Sequence, residues 1–195
     1  MSINFKKRIY TSLFLFILLT LIYMSKFFLV LGLIIVGVVS LLEFFNIIKK
    51  LSKNYLISFF ANSLFTIYIF LFCFLFFFFV NFYQLKIILF AILLCCIASD
   101  IGGYIFGKTL KGPKLTKISP NKTISGAAGS LISSLIIFSV YIYLNTGVFN
   151  NKILFVSLIT SVSCQVGDLL ISYLKRKAKI KNTGNLLPGH GGILD

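Results

Sequence analysis

Residues 56–83 read LISFFANSLFTIYIFLFCFLFFFFVNFY, a run without one charged side chain. At about 1.5 Å per residue, such a run coiled as a helix exceeds the ~30 Å of a bilayer's hydrocarbon core. It leaves no face for water, so its natural form is a membrane-spanning helix whose backbone groups are paired internally. Working outward, further apolar runs lie near 10–24, 27–48, 87–107, 126–145 and 153–174. Each approaches the ~17–25 residues needed for a crossing, and tilt or local thinning absorbs the short first run and the long third. The expected fold class is all-α: a polytopic transmembrane helical bundle of about six spans with both termini on one side.

The rest of the composition agrees. The chain has 195 residues, 58% of them hydrophobic, with 23 Phe and no Trp. No Pro/Gly/Ser-rich linker and no repeat of 20–50 residues divides it, so a single integral-membrane domain is expected over 1–195. Within it, 1–98 carries the N-terminal spans and 99–195 the polar motifs. The opening KKRIYTSLFLFILLTLIYMSK, residues 6–26, has the charged and apolar regions of a signal peptide. It lacks a clear small-x-small cleavage site, so it is read as a retained first helix. Cys73, Cys95, Cys96 and Cys164 lie inside apolar runs, in no zinc-like spacing, and read as small core residues.

The net charge of +15 raises nucleic acid as a partner, and placement argues against it. Lys and Arg fall before the first run and after the second, fourth and sixth, sixteen in all, while the alternate loops hold only Lys26, Lys86 and Lys152. That asymmetry is the positive-inside pattern. It assigns both termini and the basic segments 108–125 and 175–195 to the cytoplasm, as expected of a multi-pass protein of a bacterial inner membrane.

Acids are rare: Glu43, Asp100, Asp168 and Asp195. A carboxylate on a membrane helix costs a few kcal/mol at the bilayer centre, so Asp100 and Asp168 require a cation or a wet cavity. Asp100 precedes Lys108 by eight residues and Asp168 precedes Lys175 by seven, which puts both ~10–12 Å inside the cytoplasmic helix ends. Asp100, Gly103, Tyr104, Gly107 and Lys108 share one helix face, as do Ser161, Gln165, Asp168, Ser172 and Lys175. Two such faces can line one cavity open to the cytoplasm. Gly103 and Gly107 by themselves read as close helix packing. Glu43 sits near the cytoplasmic end of the second run, which favours a one-sided site.

The basic segments supply the opposite charge. Lys111, Lys114 and Lys117 read as lysines that snorkel and fix orientation. Lys122, set in Ser119-Pro120-Asn121-Lys122-Thr123 ahead of the fifth run, serves equally as part of an anion site with Thr123, Ser125 and the helix's first amides. The last ten residues, LLPGHGGILD, cannot continue a helix, and their glycines let amides turn toward an anion. His190, the only histidine, stands in that turn close to Asp195 and is read as part of a phosphate or metal site. Embedded acids beside concentrated cations suggest metal-assisted chemistry on a phosphate. No G-x-x-x-x-G-K-[ST] loop is present, which disfavours an ordinary ATPase.

Ser172–Asp195, SYLKRKAKIKNTGNLLPGHGGILD, resembles the motif of the phosphatidate cytidylyltransferases, the CDP-diacylglycerol synthases: S-x-apolar-K-R, four residues, K-D, a glycine, an apolar-Pro pair and H-G-G-x-x-D-R-x-D. SDIGGYIFGK, KISPNKTISGAAGS and QVGDLLISYLKR resemble that family's other elements, so the likeness spans 99–195. It implies transfer of the cytidylyl group of CTP to phosphatidate, with magnesium alone or with a second cation. CTP and phosphatidate are then the partners, nucleic acid is not, and a homodimer is admissible. By position the resemblance implies Asp168 and Asp195 as metal ligands. It gives phosphates to Lys175, Arg176 and Lys181, more of the nucleotide or lipid phosphate to Ser119, Lys122 and Thr123, and the shaping of the turn to His190, Gly191 and Gly192. Asp100 joins the substrate site by its depth. Asn182 departs from the family's Asp, and Ile171 from its Glu. The expected Arg-x-Asp and a last helix do not follow Asp195, so the chain is expected to be C-terminally incomplete. The competing functions are an ion- or proton-coupled transporter, since intramembrane Asp also marks translocation paths, and a related membrane nucleotidyltransferase or lipid kinase.

Overall fold

A computed structural model describes residues 3–116, 119 and 122–195. Six helices follow one another: α1 Ile3–Met24, α2 Lys26–Leu51, α3 Tyr55–Val80, α4 Tyr83–Thr109, α5 Ile124–Thr146 and α6 Asn151–Lys177. Among the described residues there is no strand, only two isolated β-bridges. Helices α2 to α6 are each long and apolar enough to cross a membrane, while the apolar stretch of α1, Ile9–Met24, is shorter. The all-α polytopic expectation therefore holds: among the described residues five of the six helices are long and apolar enough to span, and α1 falls short of that length. Lys117, Pro120 and Asn121, singled out from sequence, lie outside the described residues.

The chain forms two compact units, one running to Phe77 and taking in Leu174–Asp195, the other Phe78–Tyr173. In the first unit, helices approach at small residues. Gly37 of α2 faces Cys73 and Ile69 of α3, and Gly32 faces Ile22 of α1. The rings of Phe44 and Phe65 stack at 3.8 Å between centroids. The Thr11 hydroxyl of α1 donates to the Pro188 carbonyl at 2.7 Å, so the C-terminal segment is tied to the helices.

In the second unit, α4, α5 and α6 meet along a seam of glycine and serine. Hydrocarbon offers helices no hydrophobic reward for association, so close van der Waals approach and interhelical hydrogen bonds must hold them together. A Cβ on Gly103 would lie 2.6 Å from the Ser130 hydroxyl, and one on Gly129 would run into the ring of Phe106. The Ser130 hydroxyl donates to the Ser99 carbonyl at 2.7 Å. Ser134 donates to the Ser161 hydroxyl at 3.1 Å, and Ser161 contacts that of Ser99 at 3.3 Å. Away from this seam, Ile87, Ala91 and Cys95 of α4 pack on Phe138 and Ile142 of α5.

This packing separates two glycines that look alike in sequence. Gly129→Val overpacks the α4–α5 contact and costs about 1–3 kcal/mol, whereas Gly167, with nothing within 4 Å of a built Cβ, accepts Ala at no cost or with a gain of ~0.5 kcal/mol. Thermal unfolding of the purified protein in detergent should show a midpoint several degrees lower for the first variant and unchanged or higher for the second. Equal midpoints would remove the seam from the account of stability.

Candidate active site

The second unit carries a cavity of about 310 Å³ lined by residues of α4, α5, α6 and the α4–α5 connection. Asp100 and Tyr104 come from α4, Asp168 and Gln165 from α6, and Ser119, Lys122 and Thr123 from the connection and the start of α5. Five sequence-predicted residues (Asp100, Ser119, Lys122, Thr123, Asp168) thus share one hollow, as the matched depth of the two aspartates implies.

The connection reaches the cavity because it folds back onto the start of α5. After α4 the chain turns through positive φ at Lys111 (54°) and Gly112 (120°), the second a conformation suited to glycine. The Ile124 amide then donates to Pro113 O at 3.0 Å and the Leu115 amide to Lys122 O at 2.8 Å. Ser125 donates to the Lys111 carbonyl. Thr123 caps α5, its hydroxyl accepting from the Gly126 amide at 3.1 Å. So anchored, Lys122 pairs with Asp168. Asp100 lies close enough to feel both Asp168 and Lys122 electrostatically. Asp100 lines the same hollow as this ion pair, and a second carboxylate beside a lysine already paired suits a divalent cation. The donors around it are oxygens of carboxylate, hydroxyl and amide groups, the set preferred by magnesium. Among the described residues no three His, Cys, Asp or Glu side chains form a metal cage.

The remaining predicted residues belong to the first unit. The C-terminal turn closes on itself, with the Leu187 amide donating to Gly191 O at 2.7 Å and the Gly191 amide returning to Leu187 O at 2.8 Å. Gly189 and Gly191 take φ of 83° and 107°. Within the turn the His190 and Gly191 amides donate to the Leu187 carbonyl, and the amides of Gly192, Ile193 and Leu194 at its end face carboxylates of the chain. Asp195 Oδ2 accepts from the Gly192 and Thr183 amides, each at 2.8 Å, and Oδ1 from Lys175 Nζ at 2.8 Å. Asp195 as a residue is exposed, yet its side chain is only 6% exposed. With three hydrogen bonds on its carboxylate, Asp195 latches the loop to Lys175, and Oδ1 accepts one of them, which leaves it a further lone pair. Lys181, His190 and Gly191 line a separate shallow pocket with Asn182 and Asn185, and Arg176 is exposed at the end of α6.

Glu43 was missed as a site residue. It is 5% exposed and accepts from Thr183 Oγ1 at 2.6 Å and from the Ile193 and Leu194 amides at 2.9 Å each. Gly184 and Gly192 are glycines here for a steric reason, since a Cβ on either would strike the Glu43 carboxyl. The signal available in sequence was Glu43's rarity as an acid within an apolar run.

Two outcomes follow for this loop. Glu43→Gln exchanges an acceptor oxygen for an amide donor and strands a buried N–H, at about 1–3 kcal/mol. Hydrogen exchange at Ile193 and Leu194 should quicken at least ~10-fold, and unchanged protection would refute the clamp. For Asp195, burial pushes the carboxyl up. Hydrogen bonds from Gly192, Lys175 and Thr183, with the Lys175 charge, outweigh it and hold the group below its ordinary value. A depressed native pKa means the stabilisation is complete above the unfolded value of about 3.9 and is lost as pH falls below it. Protease resistance of the 178–195 segment should fall as pH drops below about 4 in the parent and lose most of that dependence in Asp195→Asn.

Comparison with known proteins carries the reading further. A phosphatidate cytidylyltransferase of Rickettsia bellii is 45% identical over 104 residues, covering 49% of this chain and 45% of the relative. One from Bacillus subtilis is 42% identical over 109 residues, 50% of this chain and 37% of the relative. One from Staphylococcus aureus is 46% identical over 113 residues, 57% and 43% respectively. The matched stretch thus covers less than half the length of each of these curated relatives. The profile of the cytidylyltransferase family matches residues 4–195. An integral membrane protein with five spanning-length helices among the described residues and a cavity lined by two carboxylates and a lysine, this chain belongs to the cytidylyltransferase family.

Proposed function

We propose that the chain serves the transfer of the cytidylyl group from CTP to phosphatidate, giving CDP-diacylglycerol and pyrophosphate. The observation that carries this reading is the cavity in which Asp100 stands with the Lys122–Asp168 ion pair beside the hydroxyls of Ser119 and Thr123. Charge of both signs in a hollow at a helix bundle's polar end suits a lipid headgroup and a triphosphate together. A phosphate oxygen of phosphatidate attacks the α-phosphorus of CTP, a new P–O bond forms, and the bond to the bridging α–β oxygen breaks as pyrophosphate departs. Lys122 offsets charge on the phosphates, and the Ser119 and Thr123 hydroxyls orient them. Asp100 and Asp168 would hold magnesium, which when bound neutralises the triphosphate.

In the C-terminal segment, Lys181, Arg176 and His190 are proposed to attract phosphate, supported by the exposure of all three and by the family likeness. Lys175 and Asp195 act as the latch that shapes Gly191 and Gly192. The lysine asymmetry supports a site on the cytoplasmic face of a bacterial inner membrane. A homodimer is the assembly to look for by light scattering in detergent.

Purified protein in vesicles containing phosphatidate, supplied with labelled CTP and magnesium, should form CDP-diacylglycerol, and chelation should stop it. Asp168→Asn should lower turnover about 10²–10³-fold, the usual loss for a preorganised electrostatic contact, with melting unchanged. Product formation at the parent rate in Asp168→Asn, or none from the parent chain, overturns the proposal.

A further inference from the structure

At the opposite ends of α4, α5 and α6 lies a second and larger cavity, of about 580 Å³. Tyr83, at its mouth, opens α4 seventeen residues before Asp100. That is about 25 Å along the axis, so this hollow is no extension of the acidic one. Its floor is apolar, built from Ile87, Ile88, Phe138, Ile142, Ile153 and Val156. Its crown is polar and free of acid: Gln84, Asn145, Asn150 and Lys152 stand around the opening. All four acids of the chain lie elsewhere.

The donors of this crown are largely unspent. Asn145 donates to the Tyr141 carbonyl of its own helix at 2.8 Å. Asn150 uses its side-chain oxygen to accept from the Ile153 amide at 3.1 Å, and its NH₂ has no partner among the described residues. Among the described residues neither Gln84 nor Lys152 has a hydrogen-bond or ion-pair partner. An ammonium and two amide NH₂ groups at an opening with no carboxylate call for an anionic acceptor. The apolar floor below them calls for hydrocarbon. Only an amphiphile with a negative head meets both demands, and the volume lies in the range of small-molecule sites. Helix ends bearing Tyr83 and polar side chains sit at headgroup level, where such a molecule arrives from the bilayer itself.

We propose that this cavity binds one anionic glycerophospholipid of the surrounding membrane, its phosphate on Lys152, Gln84 and Asn150 and an acyl chain over Ile88, Phe138 and Ile142. The bound molecule is a resident lipid, too far from Asp100 and Asp168 to be the one that reacts. The proposal is independent of the catalytic reading.

The absence of tryptophan gives a direct test. Tyr83→Trp places a single fluorophore at the mouth, and Leu144→Trp places one on the same end of α5 but outside the cavity lining. Each variant is reconstituted in phosphatidylcholine vesicles carrying 5 to 10 mol% (about one lipid in ten to twenty) of brominated phosphatidylglycerol or brominated phosphatidylcholine. In the Tyr83→Trp protein, quenching by the brominated anionic lipid should exceed that by the zwitterionic one at least ~3-fold. Emission from the Leu144→Trp protein should follow mole fraction alone, and adding Lys152→Gln to Tyr83→Trp should abolish the preference. Equal quenching of the mouth fluorophore by both lipids, or a preference that survives Lys152→Gln, overturns the proposal. Protection of that fluorophore from both lipids that grows with protein density also overturns it, in favour of a second copy of the chain as occupant.

Discussion

A carboxylate placed in a chain this apolar must be answered, by a cation, by amide donors or by water, because hydrocarbon gives nothing back for its lost hydration. The four acids meet that demand in different ways. Glu43 is answered by two backbone amides and a hydroxyl, Asp195 by two amides and Lys175, and Asp168, among the described residues, by Lys122. Asp100 lines the cavity and pairs with no cation among the described residues. The two more fully satisfied carboxylates hold the C-terminal loop to α2 and to the end of α6. The two incompletely satisfied ones are where chemistry has room to happen, since an unspent charge is what a metal or phosphate can engage.

The cavity also depends on how α4, α5 and α6 are held. Ser99 and Ser130 belong at once to the serine seam and to the cavity wall. The hydrogen bonds that replace a hydrophobic driving force between these helices therefore fix the distance between Asp100 and Asp168 as well. Gly103 is similarly double: it lines the hollow and lets α5 approach. Packing and function in this unit are one set of contacts, so substitutions along the seam should disturb both.

Much of this was legible in the chain of residues alone. Hydropathy located the apolar body of every helix, because a span's length is dictated by the bilayer and its polar ends by water; the charged start of α1 was the part it left out. Counting residues from Lys108 and Lys175 put Asp100 and Asp168 at one depth, because helical rise is constant. Family likeness, carried by contiguous motifs, needed no coordinates either. In each case the governing physics is local or one-dimensional, so order along the chain suffices.

Tertiary structure alone decided who partners whom. Five lysines lie in 108–122, and nothing in their spacing marks Lys122 as the one that meets Asp168, forty-six residues on. The glycine turn reads as a cradle for an anion, and the structure puts the Gly192 amide on Asp195 and the two amides after it on Glu43, about 150 residues away in the chain. Amides accept any well-placed carboxylate, and sequence periodicity says only which face a side chain is on. Which distant group arrives there is set by the packing of helices, through contacts that leave no period in the sequence.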